Sequence, residues 1–180
     1  RAHIEWQIEQ GVNGLVPCGT TGESATMSHA EHEAAIHICV DQVKGRVPVI
    51  AGAGSNNTTE AVSLTKHAKS VGADAVLLIS PYYNKPSDEG IFRHYEAISK
   101  IGIPIIVYNI AGRTGKNIST ALLQRIAELP NIAGVKEASG DINQMMDVIS
   151  TIARKKKDFC VLSGDDGLTL PLIAAGGDGM

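Results

Sequence analysis

The run Ala75-Val76-Leu77-Leu78-Ile79-Ser80, followed at once by Pro81-Tyr82-Tyr83-Asn84, decides the fold class. Five successive apolar residues leave no polar face, so a strand built from them must be covered on both sides, as in a parallel sheet flanked by helices. The same unit recurs outward in both directions. Gly14 to Cys18, Val47 to Ala51, Ile105 to Tyr108, Ala133 to Glu137 and Phe159 to Ser163 are further short apolar runs, each separated from the next by a stretch of helical periodicity. Ser28 followed by Glu31 reads as a capping box, Thr58 and Asp88 as N-caps, and Ser119 as the cap before Ala121-Leu122-Leu123. Gly72 and Gly102 fit left-handed helix ends.

Repeated strand and helix units allow either an open doubly wound sheet or a closed barrel. The polar residues favour the barrel. Gly19-Thr20-Thr21-Gly22-Glu23, Tyr82-Tyr83-Asn84, Tyr108-Asn109, Lys136-Glu137 and Gly164-Asp165-Asp166 all fall at or just past strand C-termini, the mouth at which barrel enzymes hold their chemistry. Arg1 starts inside a helical pattern (Ile4, Ile8, Val12), and Met180 follows Gly176-Gly177-Asp178-Gly179 without a capping element. A whole barrel takes about 250 residues. The expectation is therefore one α/β domain over residues 1–180, a (β/α)8 TIM barrel present here as a fragment lacking the first and last strands and the C-terminal helices. An unclosed sheet of this kind is expected to be inactive or unstable alone.

Composition excludes several function classes. The apolar fraction is 43% and the net charge is -3 with both signs interspersed, which predicts neither a nucleic-acid surface nor an anionic-membrane surface. The run Arg154-Lys155-Lys156-Lys157 is expected to stabilise a helix C-terminus and face water. Cys18, Cys39 and Cys160 are too few and too widely spaced for a disulfide framework or a zinc site. No apolar run reaches the roughly 20 residues a bilayer requires, and no basic-then-apolar leader opens the chain, so a cytoplasmic location is expected.

Lys136 lies in the apolar run Ile132-Ala133-Gly134-Val135-Lys136-Glu137-Ala138, where desolvation disfavours an ammonium. A neutral amine at neutral pH is what attack on a ketone requires, and the resulting imine is an electron sink. The competing readings are a lysine paired with Glu137 or one that snorkels to solvent. Tyr108 closes another apolar strand and could move a proton, while the turn Gly19-Thr20-Thr21-Gly22 offers backbone N–H groups and hydroxyls to a carboxylate. Arg113, a few residues past Tyr108, suits bidentate carboxylate binding, with a structural salt bridge as the rival. Neither Gly112-Arg113-Thr114-Gly115-Lys116 nor Gly52-Ala53-Gly54-Ser55 has nucleotide-loop spacing. His32 and His37 are five apart, not four, so no metal site is predicted; His29 and His32 share a helix face open to a polar ligand or an interface.

Taken together, Gly19-Thr20-Thr21-Gly22-Glu23-Ser24, Pro81-Tyr82-Tyr83-Asn84-Lys85-Pro86, Val107-Tyr108-Asn109, Gly112-Arg113-Thr114-Gly115, Val135-Lys136-Glu137-Ala138-Ser139-Gly140-Asp141 and Ser163-Gly164-Asp165-Asp166 resemble the dihydrodipicolinate synthase family, within the pyruvate-dependent class I aldolase and N-acetylneuraminate lyase superfamily. The resemblance covers the chain in order. It implies a lyase that condenses pyruvate with L-aspartate 4-semialdehyde to 4-hydroxy-tetrahydrodipicolinate on the way to diaminopimelate and lysine, using a covalent imine with pyruvate and no separate cofactor. By that resemblance Lys136 forms the imine, Tyr108 donates the proton, and Thr20, Tyr108 and Tyr83 make a relay in which Tyr83 enters a neighbouring subunit. Thr21 would hold the pyruvate carboxylate and Arg113 that of the aldehyde. A homo-oligomer, typically a tetramer, is implied, as is an L-lysine effector held by Ser24, Ala25, His29, His32, Asn56, Glu60 and Tyr82. Ala111 stands where the family usually has proline, which loosens the segment aiming Arg113. N-acetylneuraminate lyase or 2-keto-3-deoxy-sugar-acid aldolase activity is the alternative within the superfamily, disfavoured by Thr20-Thr21 together with Arg113. A non-catalytic barrel relative is the alternative outside it.

Overall fold

The computed structural model describes residues 1–180. Five strands, β1 (Ile50–Gly52), β2 (Ala75–Ile79), β3 (Ile105–Asn109), β4 (Ile132–Glu137) and β5 (Cys160–Ser163), pair in the order β1-β2-β3-β4-β5, every pair parallel. An open doubly wound sheet reverses its strand order at a switch point. Here the order never reverses, so the sheet is an arc of a (β/α)8 barrel. The α-helices are α1 (Ala2–Glu9), α2 (His29–Val43), α3 (Thr58–Ser70), α4 (Asp88–Ser99), α5 (Ala111–Thr114), α6 (Thr120–Ala127), α7 (Ile142–Val148) and α8 (Thr169–Ala174). A π-helical turn, Ile149–Ala153, continues α7.

Strand alternation divides the core into two layers. Val76, Leu78, Ile105, Val107, Val135 and Val161 face outward and pack with Ile36, Leu64, Ile91, Tyr95, Ile98, Leu123 and Met145 of the helices. Leu77, Ile79, Ile106 and Tyr108 form a separate cluster on the inner face. The helices begin largely as the sequence predicts. Ser28 makes a complete capping box with Glu31, and Ser119 accepts from the Leu122 N–H at 3.3 Å. The caps of α3 and α4 fall one residue before Thr58 and Asp88, on Asn57 and Ser87, whose side chains accept from the Thr59 and Gly90 N–H groups at 2.9 and 3.2 Å.

The segment Gly14 to Cys18 differs from its expected strand. It gives three backbone hydrogen bonds alongside β1, Leu15 N–H to Pro48, Ile50 N–H to Leu15 and Gly52 N–H to Pro17, but only one bridge pair, Leu15 with Val49. Pro17 has no N–H to continue the ladder and Cys18 turns to φ 55°, ending extension early. Gly52 admits this turn, because a Cβ there would collide with the Cys18 carbonyl. A parallel bridge from Leu162 to Gly179 extends the arc beyond β5.

The basic run also departs from its expected role. Lys156 turns inward and donates to the carbonyls of Ala127 and Ile132 at 2.6 and 2.8 Å, tying the end of α6 to the start of β4. No helix is long and apolar enough to cross a membrane.

Candidate active site

Register determines which polar side chains meet. Tyr108 of β3 pairs with Lys136 of β4, and Lys136 pairs with Leu162 of β5, so the lysine shares the inner face with Tyr108. The Lys136 amine lies 4.9 Å from the centre of the Tyr108 ring. Glu137, proposed above as a partner for this lysine, points to the opposite face and is fully buried there. None of the ion pairs in the molecule includes Lys136 or Arg113. Within this chain, neither residue makes the salt bridge offered as its rival reading.

Lys136 is half-buried. Burial pulls its pKa down, and the carboxylate of Asp166 in the next strand-end loop opposes the fall. Burial pushes the Tyr108 phenol up, and the charge of Arg113 and the side chain of Thr21 oppose that rise. Lysine, tyrosine, arginine and one threonine therefore converge at one end of β3 and β4. Gly164 leaves room for the lysine, since a Cβ there would come within 3.0 Å of Lys136 Cε. Lys136 also lines an apolar cleft of about 240 Å³ with Gly14, Pro48, Ile50, Leu77, Ile106, Leu162 and Met180, a cleft that Tyr108, Thr20, Thr21 and Arg113 do not line.

Thr20 and Thr21 open a 3-10 turn, Thr20–Gly22, with Thr20 half-buried and Thr21 exposed. Arg113 lies in α5, a single helical turn rather than an irregular loop. Ala111 is its first residue, a position that accepts proline and alanine alike. The turn is held by Gly115 N–H to Ala111 at 2.8 Å and by the Thr114 hydroxyl, which donates toward the Ile110 and Lys116 carbonyls at 3.0 and 2.8 Å. Tyr83 is not brought to the other candidates within this chain. It is 90% exposed, at φ 71°, and makes no hydrogen bond.

The second group gathers elsewhere. Ser24, Ala25, His29, His32, Glu60 and Tyr82 line a pocket of about 110 Å³. Glu60 receives Ser55 on one oxygen and His29 on the other, and these contacts hold its carboxyl below the usual range. His32 is buried with both ring nitrogens unpartnered, and burial pulls its pKa down. Asn56 sits at the edge, its carbonyl accepting from Asn84 at 3.2 Å.

Sequence reading missed a polar network behind the lysine. Asn109 donates to both Glu137 oxygens at 3.1 and 3.2 Å, and Gln144 and the Ser139 N–H donate to the same carboxylate at 3.2 and 2.8 Å. The available signal was a polar residue immediately after Tyr108 and after Lys136, each at the end of an apolar run.

The model of the dihydrodipicolinate synthetase family matches residues 1–180. The 4-hydroxy-tetrahydrodipicolinate synthase of Nitratidesulfovibrio vulgaris (strain Miyazaki F) is 58% identical over the whole chain, which spans 61% of that relative. The chloride-inhibited dihydrodipicolinate synthase of Acinetobacter baumannii, solved with pyruvate, superposes with a TM-score of 0.93 at 46% identity, covering 98% of this chain and 60% of that one. YagE of E. coli K12, of the dihydrodipicolinic acid synthase family and also solved with pyruvate, gives 0.95 at 33% identity, covering 99% and 60%. The chain thus spans about three-fifths of the length of these relatives, and by the family match over all of its residues it belongs to the dihydrodipicolinate synthetase family.

Proposed function

We propose that the full-length protein is a cytoplasmic Schiff-base lyase that condenses pyruvate with L-aspartate 4-semialdehyde to give 4-hydroxy-tetrahydrodipicolinate. The observation that carries this reading is a half-buried, unpaired Lys136 amine 4.9 Å from the Tyr108 ring, with Thr21 and Arg113 acting on the same phenol. The neutral amine attacks the ketone carbon of pyruvate, and loss of water leaves an imine whose protonated form draws electrons from the neighbouring methyl carbon. Loss of a proton from that carbon gives an enamine, which attacks the aldehyde carbon as the aldehyde oxygen takes up a proton; the amine of the aldehyde substrate then adds to the imine carbon and displaces Lys136, closing the ring. Tyr108 is the proton donor, with Thr20 and Tyr83 completing the relay. Thr21 holds the pyruvate carboxylate and Arg113, free of any ion pair, that of the aldehyde substrate. The exposure of Tyr83 favours its entry into a neighbouring subunit's site and hence a homo-oligomer, a tetramer by family resemblance.

Borohydride reduction of the full-length protein with pyruvate, followed by peptide mass analysis, tests the reading. A covalent adduct on Lys136 is expected, and its absence ends the lyase assignment. Coupled assays with aspartate semialdehyde and with sialic acid then separate the condensing reaction from sugar-acid cleavage.

The pocket of Ser24, Ala25, His29, His32, Glu60 and Tyr82, with Asn56 at its edge, is proposed as the site of an L-lysine effector. Glu60 supplies an anion for an ammonium, which must displace His29 or share the carboxylate with it. Isothermal titration of the full-length oligomer with L-lysine checks this assignment, and no heat of binding removes it.

A further inference from the structure

β3 and β4 each end in a pair of residues that face opposite ways. Tyr108 and Lys136 are register partners on the inner face, and Asn109 and Glu137 are register partners on the outer face. Both outer residues are fully buried. The Glu137 carboxylate has no cationic partner; it is held by neutral donors, the N–H groups of Asn109, Gln144 and Ser139 together with the Ser139 side chain. Burial pushes its pKa up, and these donors oppose the rise. A buried carboxylate without a countercharge is costly unless its lone pairs are filled, so the arrangement tolerates little displacement of any member.

The network extends beyond the strand pair. Asn109 also donates to Asn117 at 2.9 Å and accepts from the Ile118 N–H at 3.0 Å, while Asn117 donates to Gln144 of α7 at 2.8 Å. Asn117 and Ile118 follow α5, the turn that carries Arg113. One set of hydrogen bonds therefore joins the strand of Tyr108, the strand of Lys136, helix α7 and the segment behind Arg113. No member reaches the inner face.

We propose that Glu137, Asn109, Gln144 and Asn117 form a positioning network with two arms: the Glu137–Asn109 arm fixes the Lys136 amine against Tyr108, and the Asn117 arm fixes the turn that presents Arg113. The proposal rests on the reading of Lys136 as the imine-forming residue. The arms serve different steps, so they separate kinetically. Imine formation with pyruvate needs only the first arm; recognition of the second substrate needs the second.

The test uses the full-length enzyme and its Glu137→Gln and Asn117→Ala variants, with pyruvate half-reactions quenched by borohydride over time. Exhaustive trapping first counts competent sites, so that a loss of folded protein is divided out. Glu137→Gln places an amide donor against the Asn109, Gln144 and Ser139 donors, and trapping per competent site is expected to slow roughly 10- to 100-fold, with the KM for pyruvate little changed. Asn117→Ala is expected to trap at the wild-type rate and to raise the KM for the aldehyde several-fold. Should Glu137→Gln fail to fold, Glu137→Asp, one methylene shorter, is read in its place with the same slowing expected.

Trapping by the Glu137 variant at the wild-type rate per competent site overturns the first arm, and slowed trapping by Asn117→Ala overturns the division into arms. If the wild type itself gives no adduct on Lys136, the imine reading and this proposal fall together. An adduct in the wild type with unaltered variants removes the network alone.

Discussion

Lys136 and Glu137 are covalent neighbours held in opposite states on opposite faces of β4. The lysine shares the inner face with Tyr108, 4.9 Å from the centre of its ring, and has no ion-pair partner. The glutamate, fully buried on the outer face, has its carboxylate surrounded by N–H donors. A group that is to bond a substrate needs free valence, and free valence means that nothing nearby holds the group still. Rigidity has to reach it through the backbone, and the outer face is where the backbone is tied down. The same contrast separates Arg113, unpaired at the mouth, from the Thr114 hydroxyl behind it, which is tied to the Ile110 and Lys116 carbonyls.

The strongest way to break this comparison is to remove the free groups. Lys136→Ala in the full-length enzyme is expected to abolish borohydride trapping with pyruvate and to lower turnover by at least about 10³-fold, because none of the strands β1 to β5 carries another lysine. Trapping retained on a different lysine would show that the inner face does not select its nucleophile. Tyr108→Phe keeps the ring that packs near the amine and removes only the hydroxyl. Turnover is expected to fall roughly 10²- to 10³-fold, within the range of a positioned proton donor, with unfolding stability little altered. A stable variant with undiminished turnover would make Tyr108 a packing residue like Ile106 beside it.

How much of this was legible in the sequence follows the same division. The strands β2 to β5 could be read because unbroken apolar runs demand burial on both faces, and the clustering of polar residues at their ends already pointed to a mouth. The order β1-β2-β3-β4-β5, which excludes a doubly wound sheet, is a property of pairing and could not be read from any one run. Gly14 to Cys18 looked like a strand because hydrophobicity says nothing about the left-handed turn at Cys18. Lys156 looked like a surface cation because the carbonyls that receive it, those of Ala127 and Ile132, come from other elements of the chain. The inward lysine and outward glutamate follow from simple alternation, yet the partners of Glu137 at Asn109 and Gln144 come from other elements of the chain. The contact of His29 with Glu60, between two different helices, was equally invisible to spacing within α2.

His94 sharpens the comparison with the smallest effect, because it is a buried titratable group of the helical layer that, unlike Glu137, is left with one polar atom unsatisfied. It is buried on α4, with Nδ1 at 2.9 Å from the Thr58 hydroxyl and Nε2 without a partner. Burial pulls its pKa from the ordinary 6.5 down to about 4. Below pH 6.5 the unfolded chain takes up a proton that the folded chain refuses, so stability falls as the pH drops from 6.5 toward 4 and levels off below that. Replacing the histidine by glutamine removes this proton uptake and leaves the other titrating groups, including buried His32, in place. Urea unfolding of the full-length protein at about pH 7 and about pH 5, at one protein concentration, is expected to show the wild type losing about 2 kcal/mol more than His94→Gln between the two conditions. Equal losses would mean that His94 gains a proton in the fold as readily as in the open chain, and that the helical layer tolerates an unsatisfied group as easily as the mouth does.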